Sequence, residues 1–193
     1  GRVTVHSFAW QDVLWIEHGA VLLSSWIAFR DAEKSWMMFY NTANESLLEP
    51  VVNSLRLRKL ELGTVDAGKQ EKLAALKSIR TRNPVLEGIC RHYLGPSPLL
   101  SVHYQKDLDQ QGDFAILLHK DETVFCRHLR RDQTAARLEG QCVIHVPEPA
   151  LGQFSLVQRE RRNVLVLPML PEGTNGIFSL DRDGPEVASL LDF

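Results

Sequence analysis

The chain has 193 residues, 44% hydrophobic and 24% charged, enough for one large domain or two small ones with a buried core. Its 22 basic and 24 acidic side chains leave a net charge of −2, which gives no general attraction to phosphate backbones and disfavours nucleic acid as a partner. Three cysteines without a CxxC pair point to reduced thiols in a cytoplasmic protein, and no run approaches the ~18 apolar residues needed to span a bilayer.

The N-terminus lacks the design of a signal peptide, and a start at Gly1 rather than Met reads as a fragment of a longer product. Val3, Val5 and Phe8 begin a stretch of β-structure, followed by a strand over Gln11–Glu17. His18-Gly19 reads as a turn into a second strand, Val21–Arg30, and Asp31 to Lys34 as a hairpin turn into Ser35–Tyr40. The apolar period then changes from 2 to 3.6. Thr42 and Glu45 have capping-box spacing, and Leu47, Leu48, Val51, Val52 and Leu55 share one helical face, with Pro50 in the first turns. A charged helix is predicted over Ala67–Arg80, with a stripe of Leu73, Leu76 and Ile79. Asn83-Pro84 suits a helix start; Leu86, Ile89, Cys90 and Tyr93 form that helix's buried face, and Gly95 ends it.

Strands return at Leu99–Lys106, Phe114–His119, Thr123–Leu129, Gln141–Val146, Gln153–Arg159, Asn163–Met169 and Ile177–Leu180. Asp183-Gly184-Pro185 then opens a terminal helix carrying Val187, Leu190 and Leu191. The organisation is therefore a strands-then-helix unit at 1–57, a helical connector at 58–95 and a fuller unit at 96–193, with residues 11–57 repeating the pattern of 153–193. The segment Ser35–Leu55 carries this pattern most clearly, and on it the chain resembles bacterial pleckstrin-homology-like (PH-like) domain proteins. That resemblance implies an α+β, mostly antiparallel fold: a bent sheet or barrel closed by a C-terminal helix, preceded by a partial copy of the same unit. It does not extend to an inositol-lipid ligand. The first hairpin of the fuller unit carries Lys106, Asp107, Asp109 and Asp113, whose acids repel a multiply charged phosphate, and it lacks a Lys-x-Arg pair.

The four tryptophans all fall in the first 36 residues. Strand alternation places apolar side chains on both faces there, so Trp15, Trp26, Trp36, Met38 and Tyr40 are the candidate surface for a protein partner or a second copy. Arg127, Arg130, Arg131 and Arg137 near one loop, with Arg159, Arg161 and Arg162 on another, are candidate anion-binding loops; they carry the alternative reading of a module peripheral to an anionic membrane. Interleaved Asp132, Glu139 and Glu160 make a solvated charged rim the plainer account of them. Cys126, His128, Cys142 and His145 are the metal-like residues on which a second alternative, a metal-dependent hydrolase, rests. Spacing of three along a strand, however, puts Cys142 and His145 on opposite faces, so no metal site is assigned. His119 with Asp121 and Glu122 could form an acid–base pair, although exposed polar residues are the default at a hairpin turn. No phosphate loop, nucleophile elbow or HExxH motif occurs, and no catalytic residue or cofactor is assigned. The sequence reads as a non-catalytic binding or scaffolding module.

Overall fold

A computed structural model describes residues 12–31, 35–44, 46–50, 52, 69–95, 97–106, 112–133, 136–151, 155–159, 162–166 and 178–180, with backbone alone at 69–70, 131–133, 136–138, 149, 151 and from 155 onward. The expected strand at Val3–Phe8, most of the Asp31–Lys34 turn, the helix beyond Val52, Arg161 and the terminal helix after Asp183 lie outside these residues.

Ten strands are described: β1 Trp15–Val21, β2 Ser24–Arg30, β3 Ser35–Asn41, β4 Leu99–Gln105, β5 Phe114–His119, β6 Glu122–Gln133, β7 Ala136–Pro147, β8 Ser155–Arg159, β9 Arg162–Val166 and β10 Phe178–Leu180. The first seven form one antiparallel sheet in the order β3-β2-β1-β7-β6-β5-β4, and the last three form a second sheet, β10-β9-β8. The class is α+β and mostly antiparallel, as expected. Two meanders, β1–β3 and β4–β7, meet where β1 pairs with β7 from Ile16↔His145 to Val21↔Gly140. Strands on both sides of the connector thus share one sheet. Among the described residues the sheet is open, with β3 and β4 at its edges and no barrel closure.

Between those edges the described residues 46–50 and 52 are helical, as expected after β3, and three further helices follow, α1 Lys69–Ala75, α2 Lys77–Arg80 and α3 Pro84–His92; a short α4, Glu148–Leu151, follows β7. The single charged helix predicted over Ala67–Arg80 is interrupted at Leu76, whose fully buried side chain joins that of Ile79 in the core. Asn83 caps α3 as its residue type predicts: its Oδ1 accepts from the Leu86 amide at 2.9 Å, and Pro84 follows in the first turn. One face of α3 then buries Leu86, Ile89 and Cys90 against Ala115, Leu117, Val124, Cys126 and Val143 of β5, β6 and β7. On the other face of the sheet, Trp15 and Ala28 pack with Phe114, Ile116, Phe125, Ile144 and Val146, and with Ala150 of α4. Because this core takes residues from both meanders, they are joined by packing as well as by hydrogen bonds.

Two sequence expectations are corrected and a third falls partly outside the described residues. His18-Gly19 is not a turn. Both lie mid-strand in β1, and the turn is Leu22-Leu23. Gly19 serves close approach: a methyl group there would overlap the Trp26 ring and the Gln141 carbonyl. Glu45 lies outside the described residues, and with it the capping box expected of Thr42. The Thr42 hydroxyl donates to the Leu22 carbonyl at 3.0 Å and bonds Ser25 Oγ at 2.9 Å, while Asn41 Oδ1 accepts from the Ala43 amide at 2.9 Å. The hydroxyl is drawn to the neighbouring hairpin turn, which the chain alone does not show. Finally, β6 and β7 reach Gln133 and Ala136, so the arginines placed near a loop stand in a long two-stranded hairpin. Its backbone register sets Arg130 opposite Glu139, a charge pairing that favours continued strand.

Candidate functional site

The helix-facing side of the sheet gathers buried polar groups that are far apart in sequence. His18 of β1 and His145 of β7 face each other with their Nε2 atoms 3.1 Å apart and their rings stacked at 5.3 Å. The hydrogen bond between them needs one N–H and one lone pair, so it forms with a single proton between the two nitrogens. Tyr93, at the end of α3, packs its ring 5.2 Å from His18 and 5.5 Å from His145. Behind His145, the Glu122 carboxylate lies 3.6 Å from Nδ1. A line of polar atoms thus runs from β1 through His145 to a carboxylate only 3% exposed.

A second cluster surrounds the start of α3. Asn83 Nδ2 donates to Asp113 Oδ2 at 2.8 Å and lies 3.2 Å from His128 Nδ1, and the Tyr104 hydroxyl donates to the same Asp113 oxygen at 3.1 Å. Partial burial, then the Asp113 carboxylate, pushes the Tyr104 phenol up to about 12. On the opposite face, Glu17 accepts from Trp26 Nε1 at 2.8 Å and from the Cys142 thiol at 3.7 Å. Burial, then Glu17, pushes that thiol well above its ordinary value. Cys142 is therefore protonated and a poor nucleophile at neutral pH.

A cleft of about 540 Å³ opens over the first cluster. His18, Tyr40 and Gln141 of the sheet line it, with Gly88, Ile89, His92 and Tyr93 of α3 on one side and Ser46, Glu49 and Val52 of the segment after β3 on the other. His92 Nε2 and Glu49 Oε1, 3.0 Å apart, bridge its two walls at the surface.

The candidate partner residues divide between the two faces of the sheet. Trp15 is buried in the core under α4, and half-buried Trp26 lies over Gly19 on that side. Trp36, Met38 and Tyr40 are half-buried on the helix-facing side, with Trp36 stacked on Phe29 at 5.5 Å. The large side chains that β3 leaves in solvent are Met37 and Phe39, and the turn before β2 adds Leu22 and Leu23. Of the candidate anion-binding residues, Arg127 rests over the Phe114 ring, 5.7 Å from its centre. Strand alternation along β6 sends Arg130 to the opposite face from Arg127. Arg159 and Arg162 pair across the β8–β9 turn in the second sheet.

Cys126, His128 and His145 share the helix-facing side, whereas Cys142 lies on the other. Among the described residues no group of three or more His, Cys, Asp or Glu is placed to hold a metal ion, and no helix is long and apolar enough to cross a membrane. His119 is buried rather than exposed, with Nδ1 3.2 Å from the Ser97 carbonyl, while Asp121 accepts from Ser97 Oγ at 2.7 Å. The predicted acid–base pair is thus divided: Asp121 serves Ser97, and Glu122 faces His145. Sequence reasoning missed the His18–His145 pair, whose members are 127 positions apart. In comparisons with known proteins, no family model, no curated protein and no solved structure matched the chain.

Proposed function

We propose that this chain is a non-catalytic binding or scaffolding module that holds another polypeptide along β3, the simplest occupant being the β3 strand of a second copy. The observation that carries this reading is the Leu22-Leu23 turn beside that edge. Both leucines are largely exposed, at 65% and 75%, and Leu22 adopts a backbone φ of 53°, a region that costs a non-glycine residue roughly 1–2 kcal/mol. Glycine, asparagine or aspartate would relieve that cost in a two-residue hairpin turn. Neither the turn geometry nor core packing accounts for leucine there, whereas a contact surface does.

Phe39, 67% exposed, and Met37 extend the same apolar patch along the outward face of β3. Thr42, just past the strand, donates its amide to the Leu23 carbonyl at 3.0 Å and so fixes the turn against β3. Among the described residues β3 is paired on one side only, and an antiparallel strand can accept its own copy across a two-fold axis. The reading is compatible with a PH-like kinship, which the antiparallel α+β class supports in outline.

Light scattering over a range of concentrations tests the proposal. The wild-type chain is expected to shift from monomer to dimer as concentration rises, and Phe39→Glu to remain monomeric with an unchanged melting temperature. A wild type that stays monomeric throughout would remove self-assembly through β3.

A further inference from the structure

The cleft beside α3 shares Tyr40 with β3 but opens on the helix-facing side of the sheet, away from Met37 and Phe39, and its chemistry identifies a ligand class. Its volume of about 540 Å³ lies within the range of small-molecule sites, roughly 300–1,000 Å³. Four of its lining side chains are planar rings: Tyr40, Tyr93, His18 and His92. Ser46 and Gln141 add neutral polar groups, and among the described lining residues Glu49 is the one carboxylate and there is no lysine or arginine. An anion entering this space would meet a carboxylate and no permanent positive charge. A cation would meet that carboxylate together with ring faces, the combination that recognises organic ammonium groups.

Gly88 gives independent support. It lies in the interior of α3, where glycine is disfavoured relative to alanine, yet a Cβ there would meet nothing within 4 Å. Packing therefore does not require glycine at this position, and its missing side chain keeps the cleft wall open. We infer that the cleft between α3 and the sheet binds a small organic ammonium ion, with the Glu49 carboxylate as counter-ion and Tyr40 as the principal ring surface.

Isothermal titration of the whole chain at about pH 8, above the ordinary histidine range, provides the test. The probes are choline, butylammonium and the neutral alcohol in which carbon replaces the nitrogen of choline. At least one ammonium probe is expected to bind about tenfold or more tightly than the neutral alcohol; whether it is choline or butylammonium tells a methylated head group from one bearing N–H donors. Glu49→Gln is expected to remove most of that preference. Gly88→Leu, which fills the cleft from a position with room for the side chain, is expected to abolish binding without lowering the melting temperature. The assignment is overturned if neither ammonium probe binds, if the neutral alcohol binds as tightly, or if Gly88→Leu binds like the wild type. Saturable binding of inorganic phosphate that is lost in Gly88→Leu would overturn the assigned charge.

Discussion

At the scale of single residues, buried polar side chains are held by partners from other elements. Tyr104 and Asp113 give the case with a direct pH signature. The Tyr104 phenol is raised from 10.0 to about 12, first by partial burial and then by the Asp113 carboxylate beside it. The folded chain therefore keeps this proton to a higher pH than the unfolded chain does. Its contribution to stability is intact below about pH 10 and is lost as pH rises through about 12. Denaturation midpoints measured across that interval should fall more steeply for the wild type than for Tyr104→Phe. Parallel curves would show that the tyrosine does not contribute to the alkaline loss. Nothing in the sequence around Tyr104 announces this coupling, because the carboxylate lies across a strand pair. Gly19 shows the opposite kind of misreading. A glycine after histidine looks like a turn, and only the Trp26 ring above it explains its presence mid-strand.

At the scale of elements, α3 was the most legible part of the chain. Asn83, Pro84 and the spacing of Leu86, Ile89 and Cys90 specify a capped amphipathic helix, which is found. The sequence did not reveal that the capping residue has a second role. Asn83 accepts from the Leu86 amide with its oxygen and donates to Asp113 with its nitrogen, anchoring the helix to the loop before β5. Asn83→Ala should cost about 1 kcal/mol for the cap and a further ~1–3 kcal/mol for the buried carboxylate left short of a donor, roughly 2–4 kcal/mol in all. Asn83→Ser, which can keep the cap but not the reach to Asp113, should fall between that variant and the wild type in urea denaturation. Equal losses in both variants would assign the whole effect to one of the two bonds. The β6–β7 hairpin was legible only in part. Its apolar stretches mark the strands inside the sheet, whereas the charged continuation to Gln133 and Ala136 looks like loop until the strands are paired.

At the scale of the whole molecule, the decisive contact is β1 against β7. It draws the N-terminal meander into the same sheet as β4–β7, and Trp15 and Ala28 share a core with Phe125 and Ile144. A chain joined in this way should unfold as one unit. Three of the four tryptophans, Trp15, Trp26 and Trp36, stand in β1, β2 and β3, so their fluorescence reports the first meander, while far-ultraviolet circular dichroism reports the whole sheet. The two denaturation curves should coincide; a tryptophan transition at lower urea would mark residues 1–57 as a separately unfolding domain.

The sequence by itself determined the class of the fold, the position of nearly every described strand and the cap of α3. These follow from local spacing and from the hydrogen-bonding habits of single residue types. Tertiary structure alone decided which strands are neighbours, that His18 meets His145 and that Glu49, His92 and Tyr40 border one cleft. The His18–His145 and Glu49–His92 contacts join residues 127 and 43 positions apart, and pairing between distant strands depends on the packing of both faces of the sheet, which no local pattern encodes.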